Sequence, residues 1–148
     1  MLLSSRVFGF TGSRGLSGTA KIFSKPRSSL FSTAKINSLW HDVPLHADSS
    51  ETGGADGNEP NFNFICEIPA MTSAKMEIST SLPNNPIVQD RTKDDKPRFY
   101  HGPIYWNYGC LPQTWEDPRV LNEECENTFG DNDPLDVVEV GTEALACG

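Results

Sequence analysis

The run Gly130-Asp131-Asn132-Asp133-Pro134-Leu135-Asp136 places three carboxylates within six residues. In an extended chain Asp131 and Asp133 point the same way. Pro134 lacks a ladder donor and bends the path, which brings Asp136 back toward the other two. Crowding three anions costs free energy unless a hard divalent cation stands among them. An oxygen-only ligand set suits Mg²⁺, which keeps several waters and shares its remaining positions with substrate phosphates. An EF-hand fails by counting from Asp131: position five is Leu135, position six is Asp136 rather than Gly, and position twelve is Thr142 rather than Glu. The alternative that stays open is a solvated Asx-turn cluster closing a loop. Elsewhere Glu67, Lys75, Glu77 and Arg98 offer two more acids and two cations suited to phosphate oxygens, and Tyr105 and Tyr108 offer phenolic donors. For Lys75 and Glu77 the competing reading is a solvated ion pair, and for Trp106 and Trp115 it is core packing.

These groups need a scaffold, and its period is two. In Phe62–Ile68 one face carries Phe62, Phe64, Cys66 and Ile68, with Glu67 on the other. In Ala74–Ile78 the apolar residues Ala74, Met76 and Ile78 alternate with Lys75 and Glu77, and Pro69–Ser73 has the length of a hairpin loop between the two strands. Arg98–Tyr100, Ile104–Tyr108 and Val137–Val140 read as further strands. With no long 3.6-residue period and many Pro- and Gly-rich connections, the chain predicts an all-β sandwich or barrel. Residues 48–60 form a polar, Gly-rich stretch that predicts a surface loop.

The 148 residues suffice for one modest domain. No stretch is long and apolar enough for a membrane-spanning helix. The net charge of −8 hides a division. Residues 1–41 hold six cations and no acid, whereas residues 42–148 hold six cations and all 20 acids, a balance of 6 − 20 = −14. That acidity argues against a general nucleic-acid binder, and a free anion approaches such a surface only where bound metal reverses the local sign. The basic, Ser- and Arg-rich segment 1–38 predicts an organelle transit peptide, with mitochondrion ahead of plastid and the cytoplasm as the alternative. Four cysteines without CxxC spacing, and three histidines without finger spacing, argue against a structural zinc site and favour reduced thiols.

Several runs now stand in a recognisable order. Glu67-Ile68-Pro69, Ala74-Lys75-Met76-Glu77, Asn107-Tyr108-Gly109, Pro112-Gln113-Thr114-Trp115-Glu116-Asp117-Pro118 and the Asp131–Asp136 run together resemble the soluble family I inorganic pyrophosphatases, whose signature is D-x-D-P-x-D. Trp40–Leu45 resembles the eukaryotic branch. The resemblance covers about residues 40–147. It implies a mainly β, OB-like five-stranded barrel with flanking helices, and hydrolysis of pyrophosphate to two phosphates with Mg²⁺. It further implies metal ligation by Asp131, Asp136 and Glu77, orientation and deprotonation of the attacking water by Asp133, and a supporting role for Glu67. Lys75 and Arg98 would hold phosphate oxygens, and Tyr108 would donate to the product-side phosphate. The family's proton-donor Tyr position holds Ile104 here, leaving Tyr105 as the substitute.

The resemblance also implies later strands, a C-terminal helix and a second acidic cluster beyond Gly148. The expectation is therefore an N-terminal portion of the domain over 39–148, with an open barrel and little activity of its own, in a protein that forms a dimer or hexamer. Two other classes compete: an OB-like module gripping single-stranded nucleic acid through Phe99, Tyr105, Trp106 and Tyr108, and a non-catalytic structural partner. The −14 body opposes the first, and the intact, spaced acids oppose the second.

Overall fold

A computed structural model describes residues 36–47, 61–123 and 127–148, together with the backbone of two short strands, 5–8 and 21–22. The expected leader over 1–38 lies largely outside the described residues, and the expected loop at 48–60 lies wholly outside them. The strands are β1 (Ser5–Phe8), β2 (Lys21–Ile22), β3 (Ile65–Ile68), β4 (Met76–Ile78), β5 (Ile87–Gln89), β6 (Asn107–Cys110), β7 (Leu121–Asn122), β8 (Thr128–Phe129) and β9 (Asp136–Glu139). One short helix, α1 (Leu39–Asp42), is N-capped by Ser38, whose hydroxyl accepts from the His41 N–H.

The chain is mainly β, as its alternation predicts. The principal sheet runs β2-β1-β9-β6-β3, while β4 pairs with β5 and β7 with β8 in separate two-stranded sheets. Among the described residues the strands do not close into a barrel, and α1 is the one helix.

The centre of the main sheet depends on Gly109. Any Cβ there would sit 1.9 Å from the Ile65 carbonyl oxygen, so only glycine lets β6 approach β3 at this register. In the β6–β9 pair, Asn107 opposes Glu139 and Cys110 opposes Asp136. One face therefore carries Tyr108, Cys110, Asp136 and Val138, and the other Asn107, Gly109, Val137 and Glu139. A small core of Trp40, Ile65, Ile78 and Cys110, flanked by Leu39 and Ile87, packs against the first face.

The back face holds a buried polar knot. Asn107 Nδ2 donates to Glu139 Oε2 at 2.6 Å and to the Glu143 carbonyl at 2.9 Å, while its Oδ1 accepts from the N–H groups of Ala70 and Leu145. Cys66, Cys110 and Cys147 are free thiols, and burial pushes the Cys66 thiol up to about 12.

Four expectations are corrected. Pro69–Ser73 is not a hairpin loop joining β3 to β4. The Met71 N–H instead donates to the Ile104 carbonyl and the Ile104 N–H to the Thr72 carbonyl, which ties this segment to the approach to β6. The partner of β4 is β5, a strand that Pro86 and the polar run before it obscured in the sequence. Arg98–Tyr100 contributes only an isolated bridge between Phe99 and Ala74, and Ile104–Trp106 lies outside β6. Glu67 does not stand on an outer face: it is 4% exposed, because β4 lies over it with the Ile78 N–H donated to its Oε1, and all four residues of β3 are covered.

Candidate active site

The acidic run is clamped from behind by the segment Leu111–Glu116. Gly130 packs so closely on Glu116 that a Cβ would lie 2.4 Å from its carbonyl carbon and oxygen. The Asn132 N–H donates to the Glu116 carbonyl at 3.0 Å, and the Glu116 N–H to the Asp133 carbonyl at 2.9 Å. Thr114 Oγ1 accepts from the Leu135 N–H at 2.9 Å and donates to the Leu111 carbonyl at 2.7 Å. Within the loop, Asn132 takes a left-handed φ of 78°, and Asp131 Oδ1 accepts from the Asp133 N–H at 3.1 Å. The local bond is an Asx-turn, as one of the two sequence readings anticipated. The turn stands at the head of β9 and delivers Asp136 to the same face as Tyr108, whose hydroxyl bonds its carboxylate.

Facing these acids, β4 and its neighbours supply the cations. Lys75 Nζ bonds both Glu77 and Asp90, the latter at 3.0 Å. Arg98 Nη1 donates to the same Asp90 oxygen at 2.8 Å. The hydrogen bonds to Glu77 and Asp90 outweigh the opposing effect of partial burial and raise the Lys75 pKa above its ordinary value. The same bonds from Lys75 and Arg98 overcome the opposing effect of burial at Asp90 and lower its pKa.

The remaining carboxyls are shifted the other way. Burial raises Glu67 to about 7, despite the Ile78 N–H donated to its Oε1 at 2.7 Å, and Asp136 and Glu77 add to the rise. Asp136 is reached by solvent, yet crowding by protein atoms and the charge of Asp131 and Glu77 raise its pKa. Asp133 is raised by desolvation and then by Asp131, Glu77 and Asp136, while Lys75 pulls the other way. Glu116 is raised by desolvation and by Asp131, Asp136 and Asp133. Mutual repulsion thus links acids that lie as much as 69 positions apart in sequence, from Glu67 to Asp136.

That crowding tests the expected metal. Among the described residues no group of three or more His, Cys, Asp or Glu side chains is gathered closely enough to hold a metal ion by itself. Asp133 and Asp136, both raised by desolvation and then by neighbouring carboxylates, are oxygen donors of the kind that bind a cation through one or two carboxylates while it retains its waters.

The structure brings Lys75, Glu77 and Arg98 into contact with one another or with Asp90, and couples Glu67, Tyr108, Asp131, Asp133 and Asp136 to this group through their charges. It does not bring Tyr105 to them. Tyr105 stands 75% exposed beside the buried Ile104, since neighbouring residues along an extended segment face opposite ways. Two members escaped the sequence reading. Asp90 carries no motif, and its position depends on pairing distant segments. Glu116 lies inside the quoted Pro112–Pro118 run, so that run was the available signal.

Comparison with known proteins places this geometry in context. A family model described as "Inorganic pyrophosphatase" matches residues 64–148. The chain is 52% identical over 109 residues to soluble inorganic pyrophosphatase 6, chloroplastic, of Arabidopsis thaliana, covering 74% of this chain and 33% of that protein. It is 46% identical over 123 residues to inorganic pyrophosphatase 2, mitochondrial, of Mus musculus, covering 75% and 37%. Among solved structures, an N-terminally truncated vacuolar soluble pyrophosphatase of Trypanosoma cruzi in complex with PPi matches with a TM-score of 0.66 at 50% identity, over 75% of this chain and 42% of that one. The chain spans about a third of the length of these two curated relatives.

Proposed function

The chain belongs to the inorganic pyrophosphatase family, and from that premise we propose that it forms part of an enzyme hydrolysing inorganic pyrophosphate to two phosphates with Mg²⁺. The observation that carries the reading is the convergence of Glu67, Glu77, Asp131, Asp133 and Asp136 opposite Lys75 and Arg98. Asp131, Asp136 and Glu77 would hold Mg²⁺, which when bound neutralises phosphate charge and acidifies water. Asp133, raised by desolvation and then by its anionic neighbours, is suited to accept the proton of the attacking water. Lys75 and Arg98 orient and neutralise phosphate oxygens, and Arg98 can do so with two parallel donors. Tyr108, beside Asp136 on the same face of the sheet, would turn its single hydroxyl proton from that carboxylate to the phosphate on the product side. Glu67 supports the base of β4 through the Ile78 N–H.

Because the described strands leave the sheet open, residues 1–148 alone are proposed to turn over pyrophosphate weakly or not at all. The working protein is proposed to be an oligomer, a dimer or hexamer, resident in an organelle, with mitochondrion ahead of plastid. Relatives named both chloroplastic and mitochondrial support an organelle. A reporter fused to residues 1–38 should enter one, and diffuse cytosolic signal would end that part of the proposal.

The test of function is phosphate release from pyrophosphate by the complete enzyme that contains residues 1–148, with and without Mg²⁺. Asp136→Asn is expected to lower kcat by about 100-fold or more. Turnover as fast as the parent's would refute the assigned metal role.

A further inference from the structure

We infer that Asp90 is the positioning residue for the two phosphate-binding cations, an inference that rests on the pyrophosphate reading. Lys75, Asp90 and Arg98 come from three separate stretches, yet backbone hydrogen bonds join them in a ring. The Asp90 N–H donates to the Lys75 carbonyl at 2.9 Å, the Arg98 N–H to the Asp90 carbonyl at 2.8 Å, and the Lys75 N–H to the Arg98 carbonyl at 3.1 Å. The side chains repeat this closure. A single atom, Asp90 Oδ2, accepts from Lys75 Nζ at 3.0 Å and from Arg98 Nη1 at 2.8 Å. Two like charges that would otherwise splay apart are held within reach of one oxygen.

The carboxylate is a fixed post rather than a gate. Its other oxygen, Oδ1, accepts from the Arg91 N–H at 2.6 Å, and the Asp90 side chain is 18% exposed against 54% for Arg98. Gln89 Nε2 adds a bond to the Arg98 carbonyl at 3.0 Å, which steadies the same strand end. Asp90 engages the Arg98 guanidinium through Nη1, so the Nε–Nη2 edge is not consumed by this contact and stays suited to bidentate phosphate. Lys75 extends the link to Glu77, coupling the cationic side to the acidic one. The arrangement pre-pays the ordering of two long side chains before substrate arrives.

Asp90→Asn in the complete enzyme tests this. It keeps an acceptor for the Arg91 N–H and removes the charge. KM for pyrophosphate in saturating Mg²⁺ is expected to rise about tenfold, with kcat within about threefold of the parent. Simple electrostatics predicts the reverse, since deleting an anion beside the site favours anion binding. An unchanged or lowered KM therefore overturns the inference. Asp95→Asn, which removes the exposed charge paired with Arg91, is expected to leave KM unchanged.

Combined with Arg98→Met, Asp90→Asn should add less than its separate effect, whereas fully multiplicative losses would overturn a role exercised through Arg98. Should Asp90→Asn melt below the assay temperature, Asp90→Glu carries the test. It keeps the charge but displaces it by one methylene, and the same KM-specific loss is expected, with an unchanged KM again overturning the inference. A parent that neither binds nor hydrolyses pyrophosphate overturns the functional reading itself, and this inference with it.

Discussion

Glu67 shows how far a residue's type can mislead about its setting. A carboxyl in an alternating strand reads as an outward-facing group, but here it is almost fully covered and its pKa is raised from the ordinary 4.5 to about 7. Between those values the unfolded chain ionises this group while the folded chain keeps the proton, so the folded state binds more protons and loses stability as pH rises. The full penalty, on the order of 3 kcal/mol, is present above about pH 7. Urea unfolding of the metal-free protein should therefore show stability falling from pH 4.5 to 7, and Glu67→Gln should flatten that fall while still accepting from the Ile78 N–H. An equally steep decline in the variant would assign the effect to other groups. The charged residues of the site were legible because acids and cations at motif spacing announce themselves. Asp90 was not, because its meaning arises only when three segments close into one ring.

At the scale of elements, sequence periodicity found the strands better than it found their partners. β3, β4 and β9 were visible as alternation, and the β6 pairing was hidden in a glycine. Nothing local distinguishes Gly109 from any turn glycine, yet its missing side chain decides which strand lies beside β3. Gly109→Ala should destabilise the domain by about 3 kcal/mol or more, because the obstructing atom is backbone and cannot swing aside. Chemical denaturation with a far-ultraviolet readout would check it, and a loss under about 1 kcal/mol would contradict the register. Thr114 tests a second joint. Its hydroxyl holds Leu135 to Leu111 across the base of the acidic turn, so Thr114→Val removes two hydrogen bonds and strands a backbone donor. A cost of about 1–3 kcal/mol is expected, together with weaker Mg²⁺ uptake because the turn that aims Asp131 and Asp133 is loosened. Normal metal affinity in a destabilised variant would separate the joint from the site.

Over the whole molecule, the dominant fact is charge. The −14 balance of residues 42–148 is plain from composition, and the fold concentrates part of it around a site proposed to receive a tetraanion-forming substrate. Two forms of repulsion then oppose pyrophosphate, and they differ in range. The diffuse field of the acidic body falls away over roughly 10 Å at 0.1 M salt, so added salt removes it. The field among Asp131, Asp133, Asp136 and Glu77 acts between neighbouring side chains and is screened far less. Binding should therefore be ordered, with Mg²⁺ taken up first. Calorimetry on the metal-free complete enzyme is expected to show no pyrophosphate uptake at either low or high salt, since salt cannot reach the local term. Mg²⁺ should restore saturable binding and also raise the melting temperature, as any ligand selective for the folded state does. Salt should then quicken association of the metal-loaded protein with the anion, because only the long-range repulsion is left to screen. Pyrophosphate binding that was as tight without divalent cation as with it would mean that Lys75 and Arg98 alone overcome the acids, and the metal-first order would fall.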